Sequence, residues 1–275
     1  MWDATLYLRF GGERARPFFD LLARVGAEVP RYVIDMGCGP GNLTATLAER
    51  WPSATVHGVD NSPQMIETAR QLVPASAPRS VGSPGSGSVM TSHAPGLSFM
   101  LDDIRHWEPQ SLPDVIVSNA VLQWVPDHRE LLVRWADQLA DDGWLAFQVP
   151  GNFDQPSHVI LREMAASARW RSLLRDVELN RQTADPAEYA ELLAGAGCEM
   201  DAWETTYVHI LQGENPVLEW YRGTGLRPVL AVLDAGQAAD FLTEYGEKIR
   251  VAYPPGPFGT LLPFRRVFTV AHRVT

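Results

Sequence analysis

The segment Val33-Ile34-Asp35-Met36-Gly37-Cys38-Gly39-Pro40-Gly41 constrains this chain more than any other. Tyr32 to Met36 is a short apolar run carrying one acid, and it ends in three glycines at alternate positions. That order reads as a buried strand entering a tight turn that opens a helix over Asn42 to Arg50, which Pro52 stops. Glycine permits φ > 0 and lets a ligand lie against bare backbone. A dinucleotide site uses the same device, and Asp35 separates the two readings. A carboxylate beside the loop repels a pyrophosphate and attracts an ammonium, so a ligand with a cationic amino-acid tail fits better than NAD or ATP.

Around this segment strands and helices alternate. A helix is predicted over Glu13 to Ala27, from apolar Ala15, Phe18, Phe19, Leu22 and Val25 at helical spacing. A second strand is read over Ala54–Val59, and a helix from Pro63 to Leu72 capped by Asn61 or Ser62. From Pro74 to Gly96 Ser, Gly and Pro dominate, which reads as a mobile surface insertion because the alternation resumes at once. Strands follow at Leu97–Leu101, Asp114–Ser118 and Gly143–Val149, with a helix over Arg129–Ala140. The pattern predicts a parallel, helix-covered sheet with right-handed crossovers. Beyond Pro150 it loosens: helices over Pro156–Arg175, Pro186–Ala196, Pro216–Tyr221 and Gln237–Arg250, a strand over Met200–Ile210, and an apolar segment from Phe264 to Ala271.

Composition bounds the partners. The 275 residues are 45% hydrophobic, enough for a substantial core. A formal charge of −10 disfavours duplex nucleic acid, whose phosphates would meet net repulsion. The start of the chain lacks a basic head followed by an apolar run, and no run of about 18 apolar residues suggests a membrane span. Cys38 and Cys198 form neither a disulfide framework nor a metal-ligand spacing. A cytoplasmic protein, monomeric rather than oligomeric, is expected. The acid excess is uneven: residues 207–275 hold seven basic and six acidic side chains, the rest 16 and 27. The anionic part carries the motif suited to a cation, and the nearly neutral part leaves room for an anionic substrate.

Two further acids fall at strand ends. Asp60 closes the second strand about twenty residues after the glycines, where an acid can reach both hydroxyls of a ribose. Asp102-Asp103 closes the third, and Ile104 follows; an acid there can accept from an adenine amino group. All lie on the carboxyl edge, where open α/β sheets bind ligands.

Asp35-Met36-Gly37-Cys38-Gly39-Pro40-Gly41, Val59-Asp60, Asp103-Ile104 and Ser118-Asn119-Ala120 resemble the class I S-adenosylmethionine-dependent methyltransferases over residues 30 to 150. The resemblance implies a Rossmann-like α/β fold, a mostly parallel seven-stranded sheet with helices on both faces, and S-adenosylmethionine as cofactor without a metal. It implies that Asp35, Gly37, Gly39 and Gly41 hold the methionine part, Asp60 with Asn61 the ribose, Asp103 and Ile104 the adenine, and Asn119 and Ala120 the sulfonium side. A narrower resemblance covers nearly the whole chain. It rests on Trp2-Asp3, Tyr7-Leu8, Ser118 to Trp124, Pro150 to His158, Trp203 to Tyr207, Gly223 to Pro228 and Leu262 to Arg266. These segments are similar to bacterial trans-aconitate 2-methyltransferases, which form a methyl ester on one carboxylate. The implied organisation is a single domain over 1–275: a helical lid over 1–30, a cofactor core over 31–150 interrupted by the 74–96 insertion, and a substrate cap with the last strands over 151–275.

Such chemistry fits what the chain carries. A carboxylate with a pKa near 4 is already an ionised nucleophile at neutral pH, so no general base is expected. His128 and His158 are then read as positioning hydrogen bonders, and His57 as structural. A polycarboxylate needs donors of matching geometry, which Arg supplies bidentately. Arg9, Arg222, Arg227, Arg265 and Arg266 are the candidates, with two of the five expected to touch substrate. Tyr7, Gln123, Trp124 and Tyr207 are candidates for walls and hydrogen bonds, and Trp2 to Phe10 for a closing segment over the pocket. The alternatives are a methyltransferase for another small acid or hydroxyl compound, and a cofactor sensor without catalysis. A base-methylating enzyme is disfavoured, because Asn119-Ala120-Val121-Leu122 stands where an Asn-Pro-Pro-aromatic turn would be needed.

Overall fold

Apolar runs too short for helices, each bounded by turn residues, form the five strands that begin the sheet: β1 (Tyr32–Met36), β2 (Thr55–Asp60), β3 (Gly96–Leu101), β4 (Val115–Asn119) and β5 (Trp144–Pro150). The structure, a computed structural model, describes residues 11–73, 96–179 and 183–274. Two long strands complete the sheet, β6 (Cys198–Leu211) and β8 (Gly259–Arg273), with the two-residue β7 (Pro255–Gly256) hairpinned onto β8. The order is β3-β2-β1-β4-β5-β8-β6. The first five strands run parallel, and β8 is antiparallel to both β5 and β6. The chain reverses direction across the sheet between β1 and β4, the place where such sheets open a ligand crevice.

Both faces are covered. Side chains alternate along each strand, so Ile34, Ile116, Leu145 and Phe147 pack with Leu132 and Trp135 of α4 (His128–Asp137) and with Tyr189 and Leu193 of α7 (Pro186–Ala194). On the other face Val33, Val56, Val117, Ala146 and Phe268 meet Phe18 and Leu21 of α1 (Gly11–Leu22) and Leu47 of α2 (Asn42–Arg50). Helix α3 (Pro63–Arg70) follows β2. A third core belongs to the cap, formed by α5 (Pro156–Ala166), α6 (Arg171–Leu174), α8 (Pro216–Arg222), α9 (Arg227–Leu230) and α10 (Ala235–Ala252) against Leu262 and Phe264 of β8. Strand β8 therefore belongs to both the sheet and the cap.

Two elements differ from expectation, for tertiary reasons. Helix α1 ends at Leu22 rather than Ala27. The Arg50 guanidinium donates to the carbonyls of Leu22 and Val25 at 2.9 and 3.0 Å, and Trp51 Nε1 donates to Ala27 at 3.1 Å. These donors satisfy carbonyls that helix continuation would otherwise have to use. The helix expected over Pro156–Arg175 breaks at Ser167, whose backbone is extended (φ −66°, ψ 159°). The break lets Trp170 turn onto Phe241 of α10, edge to face at 5.1 Å, with its Nε1 donating to Glu244 at 2.9 Å. Among the described residues no helix is long and apolar enough to cross a membrane.

Candidate functional site

The glycine turn is tied down from both sides. The amides of Gly37 and Cys38 donate to Val59 O at 2.7 and 3.0 Å, and Gly39 N donates to Asp60 Oδ2 at 2.9 Å. Asp60 Oδ1 accepts from Ser62 N at 2.8 Å, so the carboxylate bridges the turn and the start of α3. Gly37 has a left-handed φ of 80°, and a Cβ there would lie 2.2 Å from Val121 Cγ2. Gly39 (φ 56°) has open space where its Cβ would be, because that side faces a cavity of about 530 Å³.

That cavity is lined by Gly37 and Gly39, by Asp60 at the end of β2 with Asn61 and Met65 after it, and by Asp103, Ile104 and Arg105 beyond β3; Asn119 ends β4 with Ala120 and Trp124 after it, and Arg227 and Pro228 reach it from the cap. Its floor is anionic. Asp35 sits under the turn, 3% exposed, where burial raises its carboxyl to about 7 against the opposing hydrogen bond from Thr44 Oγ1 at 2.6 Å; the Asp60 charge raises it further. Burial also raises Asp60, opposed by the backbone amides it accepts from. Two carboxylates that resist ionisation for want of a counter-charge suit a cation and oppose a pyrophosphate. Asp103 differs: Arg105 Nε donates to its two oxygens at 3.0 and 3.1 Å, which holds its carboxyl down at about 2.

Past β4 the chain turns sharply. Ala120 adopts φ 58°, costly for a residue with a Cβ and a mark of backbone held for a purpose. Its N–H donates to Gln148 O at 2.9 Å and its carbonyl accepts from Gln123 Nε2 at 2.6 Å. Asn119, Ala120 and Trp124 also line a second, smaller cavity that continues toward the cap. There Gln123, Asn152, His158, Tyr221 and Arg266 supply the polar surface, and Phe153, Trp220 and Phe264 the apolar walls. Arg266 is 6% exposed, stacked at 4.4 Å over the Phe264 ring, with Nη1 donating to Gln148 Oε1 at 3.3 Å. The Tyr221 hydroxyl accepts from Ser157 Oγ at 2.7 Å and Asn152 Nδ2 at 3.1 Å, and burial pushes its pKa well above the usual phenol value.

The residues singled out from sequence distribute unevenly. Gly37, Gly39, Asp60, Asn61, Asp103, Ile104, Asn119 and Ala120 line the larger cavity, as does Arg227, whose guanidinium is shifted down by burial. Gln123, His158 and Arg266 line the smaller one, and Trp124 lines both. Asp35 and Gly41 lie behind the turn rather than on the cavity wall; a Cβ on Gly41 would be 2.7 Å from the Phe99 ring. Four of the expected substrate contacts sit elsewhere. His128 is in the core, with Nδ1 on Val125 O at 3.0 Å and Nε2 on the Tyr189 hydroxyl at 2.9 Å. Tyr207 donates to Asp20 of α1 at 2.7 Å and packs in the core beside Phe268. Arg222 is 43% exposed and paired with Glu219 at 3.0 Å, one helical turn away. Arg265 is held by Glu204 and Asp185, the latter at 2.6 Å. Tyr7 and Arg9, and with them the closing segment, lie outside the described residues.

Asn152, Tyr221 and Gln148 were not singled out. Gln148 carries a legible mark, a lone amide inside the apolar run Trp144–Val149. Asn152 lies within a segment already noted, while Tyr221 has the spacing of an ordinary core aromatic.

Residues 10–202 match the family described as "Methyltransferase domain". A protein of Rhodococcus jostii named trans-aconitate 2-methyltransferase is 51% identical over 274 residues, covering 98% of this chain and 99% of that one. One of the same name from Streptomyces avermitilis is 51% identical, covering 99% and 97%. The chain belongs to the trans-aconitate 2-methyltransferase family. Solved structures agree on the fold that this family membership implies. A Bacillus subtilis protein, YcgJ, superposes with a TM-score of 0.57 at 11% identity over 94% of this chain and 99% of that one. A Haemonchus contortus phosphoethanolamine N-methyltransferase gives 0.52 at 14% identity over 94% and 53%. The fold of this family member is the class I methyltransferase fold. Among its described residues no cluster of three His, Cys, Asp or Glu side chains is placed to hold a metal ion.

Proposed function

We propose that this chain transfers a methyl group from S-adenosylmethionine to one carboxylate of trans-aconitate, giving a monomethyl ester. The observation that carries the reading is the pair of cavities meeting at Asn119, Ala120 and Trp124, one lined by the half-buried Asp60 with Asp35 buried behind its glycine turn, the other containing the buried cation Arg266. The residues present fit the cofactor. The open side of Gly39 admits its amino-acid part, and the remaining lone pairs of Asp60 can accept from ribose hydroxyls. Asp103 and Ile104 stand where the purine would lie, and Asn119 and Ala120 at the reactive end. When bound, S-adenosylmethionine supplies a methyl group on a sulfonium, already activated for in-line displacement by an ionised oxygen.

The protein's own work is then orientation and charge. The acceptor is ionised at neutral pH and needs no base. Holding acceptor and donor in line is worth up to about 7–11 kcal/mol in favourable cases. Arg266 supplies a desolvated guanidinium for a substrate carboxylate, with Tyr221, Asn152 and His158 around it and Arg227 at the boundary with the cofactor cavity. Residues 31–150 supply most of the cofactor's cavity and residues 151–275 most of the acid's, in a single domain that we place in the cytoplasm as a monomer.

The test is incubation with labelled cofactor and a panel of di- and tricarboxylic acids. A base-labile labelled ester from trans-aconitate is expected, and its absence would overturn the assignment. Arg266→Lys keeps the charge and loses the fork; KM for the acid is expected to rise at least tenfold with cofactor affinity unchanged.

A further inference from the structure

Arginine has donors and no acceptor. Arg266 Nη1 meets Gln148 at 3.3 Å, so the Gln148 atom facing it is the carbonyl oxygen. The Gln148 NH₂ then faces the other way, where it meets Asn119 at 2.5 Å. The Asn119 atom there must be its own carbonyl oxygen. The Asn119 NH₂ takes no part in this contact, and Asn119 itself lines both cavities. Strand geometry enforces the arrangement: Asn119 is in register with Gln148, and Pro150, two residues on and on the same face, is in register with Arg266. Gln148 itself is 1% exposed and lines neither cavity, lying behind the residues that do.

We propose that Gln148 is a positioning residue that transmits the polarity of Arg266 to Asn119, so that the Asn119 amide NH₂ and the Arg266 guanidinium together bind the substrate's carboxylates. This rests on the reading of the smaller cavity as the acid's site, and gives Asn119 a role toward the acid beyond the cofactor. Were Asn119 turned over, its carbonyl oxygen would face an anion at the point of transfer. The inference predicts that breaking the relay harms the acid and spares the cofactor.

The experiment uses the full chain. KM for trans-aconitate is measured beside the Kd of S-adenosylhomocysteine for wild type, Gln148→Glu, Gln148→Leu and Asn119→Asp, each checked for folding by circular dichroism. Gln148→Glu can still accept from Arg266 and can no longer donate to Asn119. A rise in KM of tenfold or more is expected for Gln148→Glu and Asn119→Asp, with Kd within twofold for Gln148→Glu. An unchanged KM in a folded Gln148→Glu overturns the inference, as does a parallel loss of acid and cofactor affinity, which is what mere loosening of the sheet would produce. Should Gln148→Glu fail to fold, Gln148→Leu is read by the same criteria. Wild type that forms no ester from trans-aconitate would sink the substrate reading and this inference together. Ester formation with an indifferent Gln148→Glu sinks only the relay.

Discussion

Gly37 and Asp35 show how much one position can decide. At Gly37 both backbone and space exclude a side chain, with φ at 80° and Val121 2.2 Å from a Cβ. Gly37→Ala is expected to cost about 1–3 kcal/mol from the backbone alone and to abolish cofactor binding, measured by denaturant titration and calorimetry. Asp35 makes the site pH-dependent. Its carboxyl is raised to about 7 in the folded chain, so between pH 4 and 7 the native state holds a proton that the unfolded chain releases. Its contribution to stability therefore falls as pH rises through that window. A cationic cofactor favours the ionised form, so its affinity is expected to climb from pH 6 to 7 and level off above. Asp35→Asn should flatten both profiles. The acids were legible in sequence because topology brings every parallel strand's carboxyl end to one edge. The arginines were not. Arg265 and Arg266 are chain neighbours and point to opposite faces of β8; one is caged by Glu204 and Asp185, the other buried against Phe264. Period-two alternation says that they diverge and leaves open which one faces the substrate.

Among elements, the link between α4 and α7 has a consequence for function. His128 and Tyr189 join the two helices through a buried hydrogen bond, and burial lowers the imidazole's pKa. Below the ordinary histidine value of about 6.5 the unfolded chain binds protons that the folded chain resists. Stability is thus expected to decline with acidification in that range. His128→Ala should remove this dependence at a cost of about 1–3 kcal/mol, with the pH profile of kcat/KM unmoved; a changed profile would show a role in turnover. The helices and strands described within residues 31–150 were readable because each is specified by local apolar periodicity and the turn residues that bound it, although Ser62, at the N-cap of α3, makes no side-chain capping bond. The end of α1 and the break at Ser167 were not, because Arg50 and Trp170 act on them from elsewhere in the chain.

At the scale of the molecule, the insertion expected before Gly96 falls on residues 74–95, outside the described residues, and the strand that follows them, β3, is an edge strand. Replacing these residues with a short Gly/Ser turn is expected to leave KM and cofactor Kd within twofold, measured on purified protein. The alternation of strands and helices made the parallel half of the sheet readable. The cap was legible only as a set of helices, since its core is assembled from α5, α8, α10 and β8, which are distant in the chain. Strand β8 carries the largest consequence. It is synthesised after every other described element, yet it takes an interior place between β5 and β6. A growing chain has its glycine turn and Asp60 long before it has Arg266, and meanwhile β5 and β6 each leave an edge unpaired. Copies cut short before β8 would present two adhesive edges to their neighbours. Incomplete synthesis of this protein is thus expected to favour aggregation over a lingering half-enzyme that sequesters cofactor.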